Sequence, residues 1–378
     1  MNTKITPKQF VSTCVLFMIS SIQVINIYPN SKINIWFAAI VGAVASIPIL
    51  LMFARLSGLY PEEDLFGIIE KTVGNIAGKG LSIIYTIYGL YLGIVTIRYL
   101  TEFIQVVSMN ETPQIILLII FGFLCGYIVY KGSGIITKLS TVILPVVFAI
   151  FIFIIICSFG FYDYSYLKPG LDENISTFSD AAFSVASFSF CEIIFIISFL
   201  KNTELNQKKK YSLLMISLLI GTVFTVAQLL SNQLILGTST SSILYFPNYE
   251  AVSIINIEDF ITHIEVISII SFLMCVIIKE SVCIFTVSKG INKIFNLRNP
   301  KLTEGFATLA VIIGGAFVFD STMDMYKFHE LNKYIVLIFQ AAVPFLIYSI
   351  AEIKNIRSKT RNTINEQSSA IKNQRELI

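Results

Sequence analysis

Five ionisable side chains sit inside runs of apolar residues, and each could carry chemistry: Glu192, Arg98, Glu102, Lys279 and Glu280. Charge in such surroundings is costly, which makes these groups functional candidates. Glu192 follows the serine-rich stretch SVASFSF, residues 184–190. A carboxyl there can accept a proton, meet a ligand's ammonium group, or simply bond a neighbouring helix. Arg98 and Glu102 are four apart, so on a helix they share a face and can pair; near a membrane boundary they act equally well as gate or as anchor. Lys279 and Glu280 are adjacent and point about 100° apart. Lys279 lies toward the inner end of its run, so it is expected to reach the inner surface and serve structure. Near the N-terminus, Ser20, Ser21 and Gln23 interrupt another apolar run, as Ser184, Ser187 and Phe188 do before Glu192. Small hydroxylated residues let a membrane helix unwind by replacing lost backbone hydrogen bonds. An unwound segment offers amides and carbonyls to a ligand's carboxylate and amine. The alternative is that these serines pack against neighbouring helices, as Gln228, Asn232 and Gln233 are expected to do through interhelical bonds.

The elements that hold these groups are apolar spans. A membrane helix needs about 20 mostly apolar residues, and ten stretches meet or approach that length: 9–28, 33–56, 81–107, 115–130, 135–159, 178–200, 211–236, 260–287, 306–319 and 334–353, the ninth being the shortest. Apolar residues make up 55% of the chain and charged ones 13%, with a mean hydropathy of +0.77. A soluble domain has no way to bury that much apolar surface.

Charge orders the spans. With the N-terminus inside, 21 of the 27 lysines and arginines fall in inside segments and four (Lys32, Lys168, Lys327 and Lys333) in outside ones. That bias puts both ends of the chain in the cytoplasm. The net charge of +3 therefore reports topology and contact with anionic lipid, and nucleic acid is not an expected partner. The first apolar run lacks a small-residue cleavage site and reads as a retained helix. All six cysteines lie in apolar runs, which argues against an extracellular disulfide framework. The two histidines, His263 and His329, have no metal-site spacing. Without a phosphate-binding loop, nucleophile elbow or H-E-x-x-H pair, neither enzyme activity nor a cofactor is expected.

Ten spans invite division into halves, 9–159 and 178–353, as in transporters built from inverted repeats. Domain 1–353 would then be a transporter-like membrane unit, and 354–378 a polar cytoplasmic tail. The fifth and tenth spans each carry a proline mid-way, Pro145 and Pro344, and the first and sixth carry the serine interruptions. Between the second and third spans, Leu65, Ile68, Ile69 and Val73 fall at helical spacing and predict a short amphipathic helix at the inner surface. The outside segments 161–177 and 238–258 are long enough to be lids, covers or partner surfaces.

Several stretches together resemble a known family: YPEEDLFGIIEKTVGNIAGK (60–79), RYLTEFI (98–104), NETP (110–113), YLKPGL (166–171), LYFPNYEAV (244–252) and INIEDFITHIEVI (255–267). They resemble the permease-like B subunits of spore germinant receptors, a branch of the amino acid/polyamine/organocation transporter superfamily. The resemblance runs from about residue 5 to 353. It implies an all-α, LeuT-like bundle with discontinuous first and sixth helices in the spore inner membrane. It also implies recognition of a small nutrient, usually an amino acid, and signalling with A and C subunits. Carried over by position, the substrate site comprises Ser20, Ser21, Gln23, Ser184, Ser187, Phe188 and Glu192, with Arg98 and Glu102 on the third helix. Where a glycine would be expected at the first break, this chain has Ser20 and Ser21. An ion-coupled amino-acid transporter, or a conduit for ions or water, would use the same helices, with Arg98, Glu102, Lys279 and Glu280 as gating or proton-linked groups.

Overall fold

The computed structural model describes residues 5–23, 34–167, 175–201, 203, 207–255, 263–297, 299–357 and 360. Among them there is no strand. Lipid offers backbone groups no hydrogen bonds, and a helix satisfies them within one segment. In chain order the helices are α1 (Pro7–Ser20), α2 (Ile35–Leu59), α3 (Leu65–Val73), α4 (Asn75–Val107), α5 (Gln114–Tyr130), α6 (Ser133–Ser158), α7 (Ile175–Val185), α8 (Ile197–Leu200), α9 (Gln207–Ile243), α10 (Pro247–Ser253), α11 (Ile264–Phe295), α12 (Pro300–Phe317) and α13 (Thr322–Leu337).

Among the described residues, seven stretches are long and apolar enough to cross a membrane: Ile35–Leu59, Asn75–Val107, Ser133–Phe161, Ile175–Leu200, Gln207–Ile243, Ile264–Phe295 and Asn332–Arg357. The first, fourth and ninth expected spans are shorter helices, α1, α5 and α12, of 14, 17 and 18 residues. The start of α1 is fixed by Thr6, whose hydroxyl accepts from the Gln9 amide while Gln9 Oε1 accepts from the Thr6 amide, with Pro7 in the first turn. These bonds satisfy amides a helix start leaves free. α1 stops at Ser20, short of the expected limit at residue 28, and residues 24–33 lie outside the described set.

Elements at matching places in the two halves pack on each other: α2 on α9, α4 on α11 and α5 on α12. α1 packs on the 186–196 segment and on α11, which also meets α6. At 33 and 32 residues, α4 and α11 are about 50 Å long and form the backbone of the bundle. The helix predicted around 65–73 is α3, capped by Asp64, whose Oδ1 accepts from the Gly67 amide at 2.9 Å. Leu65, Phe66, Ile68 and Ile69 are buried, and the helix packs on α4.

The last span, 332–357, contains a π turn at Ile338–Ala342 just before Pro344. Proline has no amide to give and its ring crowds the carbonyl four residues back, and a wider turn relieves both. Ion pairs pin this span at two places. Lys333 meets Asp180 of α7 at 2.6 Å, and Glu352 meets Arg55 of α2 at 2.5 Å. Between them, Phe339 stacks on Tyr88 of α4 at 4.6 Å, and Gln340 Nε2 donates to the Tyr88 hydroxyl at 2.8 Å.

Candidate functional site

Two interruptions meet in the bundle. The first is the end of α1, where residues 21–23 form a turn. The second runs from α7 through a π turn at Ala186–Phe190 and a 3-10 segment at Cys191–Ile196 into α8. The sequence predicts unwinding at 184–190; the structure instead changes the winding, wide and then tight, and the chain stays helical. The physical reason is burial: all residues from Ser184 to Leu200 are buried, and an extended stretch there would strand most of its backbone groups. The hydroxyls of Ser20 and Ser184 bond back to Phe17 O and Asp180 O at 2.8 and 2.9 Å.

Lys279 of α11 reaches into this junction. Its ammonium donates to Glu192 Oε2 and to Ser21 Oγ at 2.5 Å, and lies 5.3 Å from the centre of the Phe17 ring. The side chains of Lys279 and Glu192 are 5% and 2% exposed. The expectation that Lys279 reaches the surface is therefore corrected. Its stem is enclosed by the break, and a carboxylate inside compensates the charge where water cannot. One cation thereby ties together α11, the end of α1 and the 3-10 segment.

Polar atoms without partners gather in the same segments. Among the described residues, the hydroxyls of Ser187 and Ser189 and Oε1 of Gln23 are buried and make no hydrogen bond. The Gln23 carbonyl accepts from Asn248 Nδ2 at 3.2 Å, and Asn248 Oδ1 accepts from Gln228. Phe188 is buried beside these serines in the π turn. Sequence reasoning missed Ser189, although its place in the serine-rich stretch was the available signal. α2 passes close by: a Cβ added at Gly42 would stand 2.6 Å from Ala182 O and 3.2 Å from Ala186 N.

Arg98 and Glu102 form a separate cluster. They pair at 3.3 Å, and Glu102 also accepts from Gln114 Nε2 at 2.7 Å and from the Thr322 hydroxyl. Glu102 thus fastens α4 to the starts of α5 and α13. Gln233 donates to Asn34 Oδ1 at 2.7 Å and to Tyr166 O at 3.0 Å. Glu280 points away from the break toward α4, and its carboxyl makes no bond.

Comparison with known proteins places this geometry. A family described as spore germination protein matches residues 4–328. The chain belongs to that family. Among its relatives, spore germination protein XB of Bacillus anthracis is 28% identical over 226 residues, 60% of this chain and 62% of that one, less than two thirds of its length. The putative spore germination protein YfkT of Bacillus subtilis (strain 168) is 21% identical over 327 residues, 86% of this chain and 89% of that one. Among solved structures, MhsT in complex with L-phenylalanine superposes with a TM-score of 0.63 and 14% identity, covering 91% of this chain and 87% of that one. A substrate-bound Na+-coupled sialic acid symporter gives 0.58 and 14%, covering 92% and 77%. The spore germination protein described here is thus a multi-pass membrane protein with a LeuT-like transporter fold.

Proposed function

We propose that this chain is the nutrient-sensing membrane subunit of a spore germination receptor, binding a small zwitterion, an amino acid in the first instance, at the Lys279–Glu192 pair. The observation that carries the reading is this buried pair at the meeting of two helix interruptions, with hydroxyls of the same segments left without partners. Inside the bundle Lys279 and Glu192 serve as each other's counter-ion. A zwitterion can insert between them: its carboxylate takes Lys279, its ammonium takes Glu192, and the site stays neutral throughout. The ligand's ammonium also meets the partly negative end of α1, and Ser187, Ser189 and Gln23 offer further bonds. Inserting a ligand separates α11 from the 3-10 segment, so binding favours a second arrangement of the bundle. Differential affinity of this kind is the requirement for a signal. A and C subunits of the receptor would read that change. In this reading the membrane is the spore inner membrane, and both termini face the cytoplasm, as the lysine and arginine bias implies.

The test is thermal stabilisation of the purified full-length protein, alone and with its partner subunits, across amino acids, sugars and nucleosides. Stabilisation by one class, lost in Glu192→Gln and in Ser187→Phe, is expected. No response to a nutrient that triggers the parent spore, with partners present, would overturn the reading. The transporter fold favours one alternative, ion-coupled amino-acid uptake. Substrate accumulation in proteoliposomes under an imposed ion gradient would establish it. Ion flux independent of any nutrient would instead mark a conduit.

A further inference from the structure

Glu280 is the one described carboxyl on α11 that is fully enclosed, at 0% exposure, and neither of its oxygens has a hydrogen-bond partner. Lys279 is its neighbour in sequence but is turned to Glu192 and Ser21. The Glu280 carboxyl packs instead on the backbone of α4 at Gly93. A Cβ added there would stand 3.2 Å from Glu280 Oε1, with Val311 Cγ2 of α12 at 3.2 Å and Cys283 Cβ at 3.5 Å. The titratable groups with electrostatic reach to Glu280 are Lys279 and Cys283 on its own helix and Cys125 on α5. On α4 it faces Gly93, a position that Val311 of α12 also approaches, and neither residue carries a titratable group.

An ionised carboxylate in this position would be a bare charge at membrane depth with no bond to any protein group. Such a charge is so costly that a carboxyl takes up a proton instead. A metal ion has no ligand set here: among the described residues no group of three His, Cys, Asp or Glu side chains is arranged to hold one. We infer that Glu280 is a proton-binding site, separate from the Lys279–Glu192 pair, in which the proton itself is the ligand and the carboxyl is held as the neutral acid between α4, α11 and α12. The assignment separates two roles on adjacent residues. Lys279 and Glu192 cancel one another and need no added proton, whereas Glu280 has only a proton to neutralise it. Release leaves a carboxylate and passes the proton to water. Water must therefore enter the contact between α4 and α11, and any rearrangement that parts these two helices is linked to proton release. The inference does not rest on the nutrient reading.

The experiment is infrared spectroscopy of the full-length protein in lipid nanodiscs, in H2O and D2O at neutral pH, with no ligand added. Wild type is expected to show the C=O absorption of a protonated carboxyl, shifted by deuterium. Glu280→Gln is expected to lose it, and Glu192→Gln to keep it. Glu280→Met serves as a second variant should the amide fail to fold, and is judged by the same loss. Absence of the band from wild type, or its full retention in whichever Glu280 variant folds, overturns the inference. Because no nutrient is present, failure here leaves the ligand-stabilisation experiment unaffected.

Discussion

Lys279 and Glu192 show how strongly a partner decides what a buried charge costs. Together they form a neutral unit with Ser21; apart, each is a charge sealed from water. Removing one partner of such a pair typically costs about 3–5 kcal/mol, whereas replacing both by well-packed apolar residues is often close to neutral. Lys279→Met is therefore expected to lower the thermal stability of the detergent-solubilised protein by an amount in that range. Adding Glu192→Leu should recover most of the loss. A double-mutant cycle of melting curves checks this, and simple additivity of the two losses would contradict the coupling. Glu192→Gln should cost less, because its amide oxygen can still accept from the ammonium.

Close approach governs at the scale of helices. α2 rests on α7 and the π turn because Gly42 has no side chain, and a methyl group there meets backbone atoms that cannot turn aside. Gly42→Ala is expected to cost about 1–3 kcal/mol, the usual penalty of overpacking. In the same melts, any ligand-induced stabilisation should shrink with it, since the π turn carries Ser187 and Ser189. The turn before α3 makes a pH prediction. Lys71 hydrogen-bonds Glu63 at 2.7 Å and holds its carboxyl below the usual carboxylate range. A lowered carboxyl favours the folded state above its unfolded value of about 4.3, and the benefit is lost as pH falls through the folded value. Lys71 is exposed and the Glu63 side chain partly so, and solvent screening keeps the contribution of the pair small. The drop in Tm on acidification below about pH 4 should be slightly smaller in Glu63→Gln than in wild type; an equal or larger drop would count against it.

Over the whole molecule the distribution of lysine and arginine predicts an orientation. If both termini are cytoplasmic, a cysteine placed at Lys372 should resist a membrane-impermeant maleimide in intact cells and react after permeabilisation. One at Lys32 should react in both conditions. The reverse pattern would invert the topology and with it the assignment of inside and outside segments. Orientation matters to the proposed signal, because the last span is pinned to α7 by Lys333–Asp180 and to α2 by Arg55–Glu352. These pairs sit on either side of the π turn, which packs on the 3-10 segment that carries Glu192.

Much of the architecture is legible in the sequence alone, because membrane helices announce themselves locally. Each apolar run must satisfy its own backbone, so composition and length showed where helices form, whereas the starts fixed by Thr6 and Asp64 emerged only in the structure. The α3 pattern and the Arg98–Glu102 pair follow from helical spacing within one segment. Distances across the bundle have no such local signature. Lys279 and Glu192 are 87 residues apart in sequence, and only the packing of α11 against α1 and the 186–196 segment brings them together. The sequence placed Lys279 near an inner end because rise per residue measures depth but not direction; tertiary structure turned its side chain to the break. The isolation of Glu280 was equally hidden, since a carboxyl's lack of partners depends on every helix around it. In the serine-rich stretch, residue type predicted unwinding, and burial decided that it would instead stay wound as π and 3-10 turns.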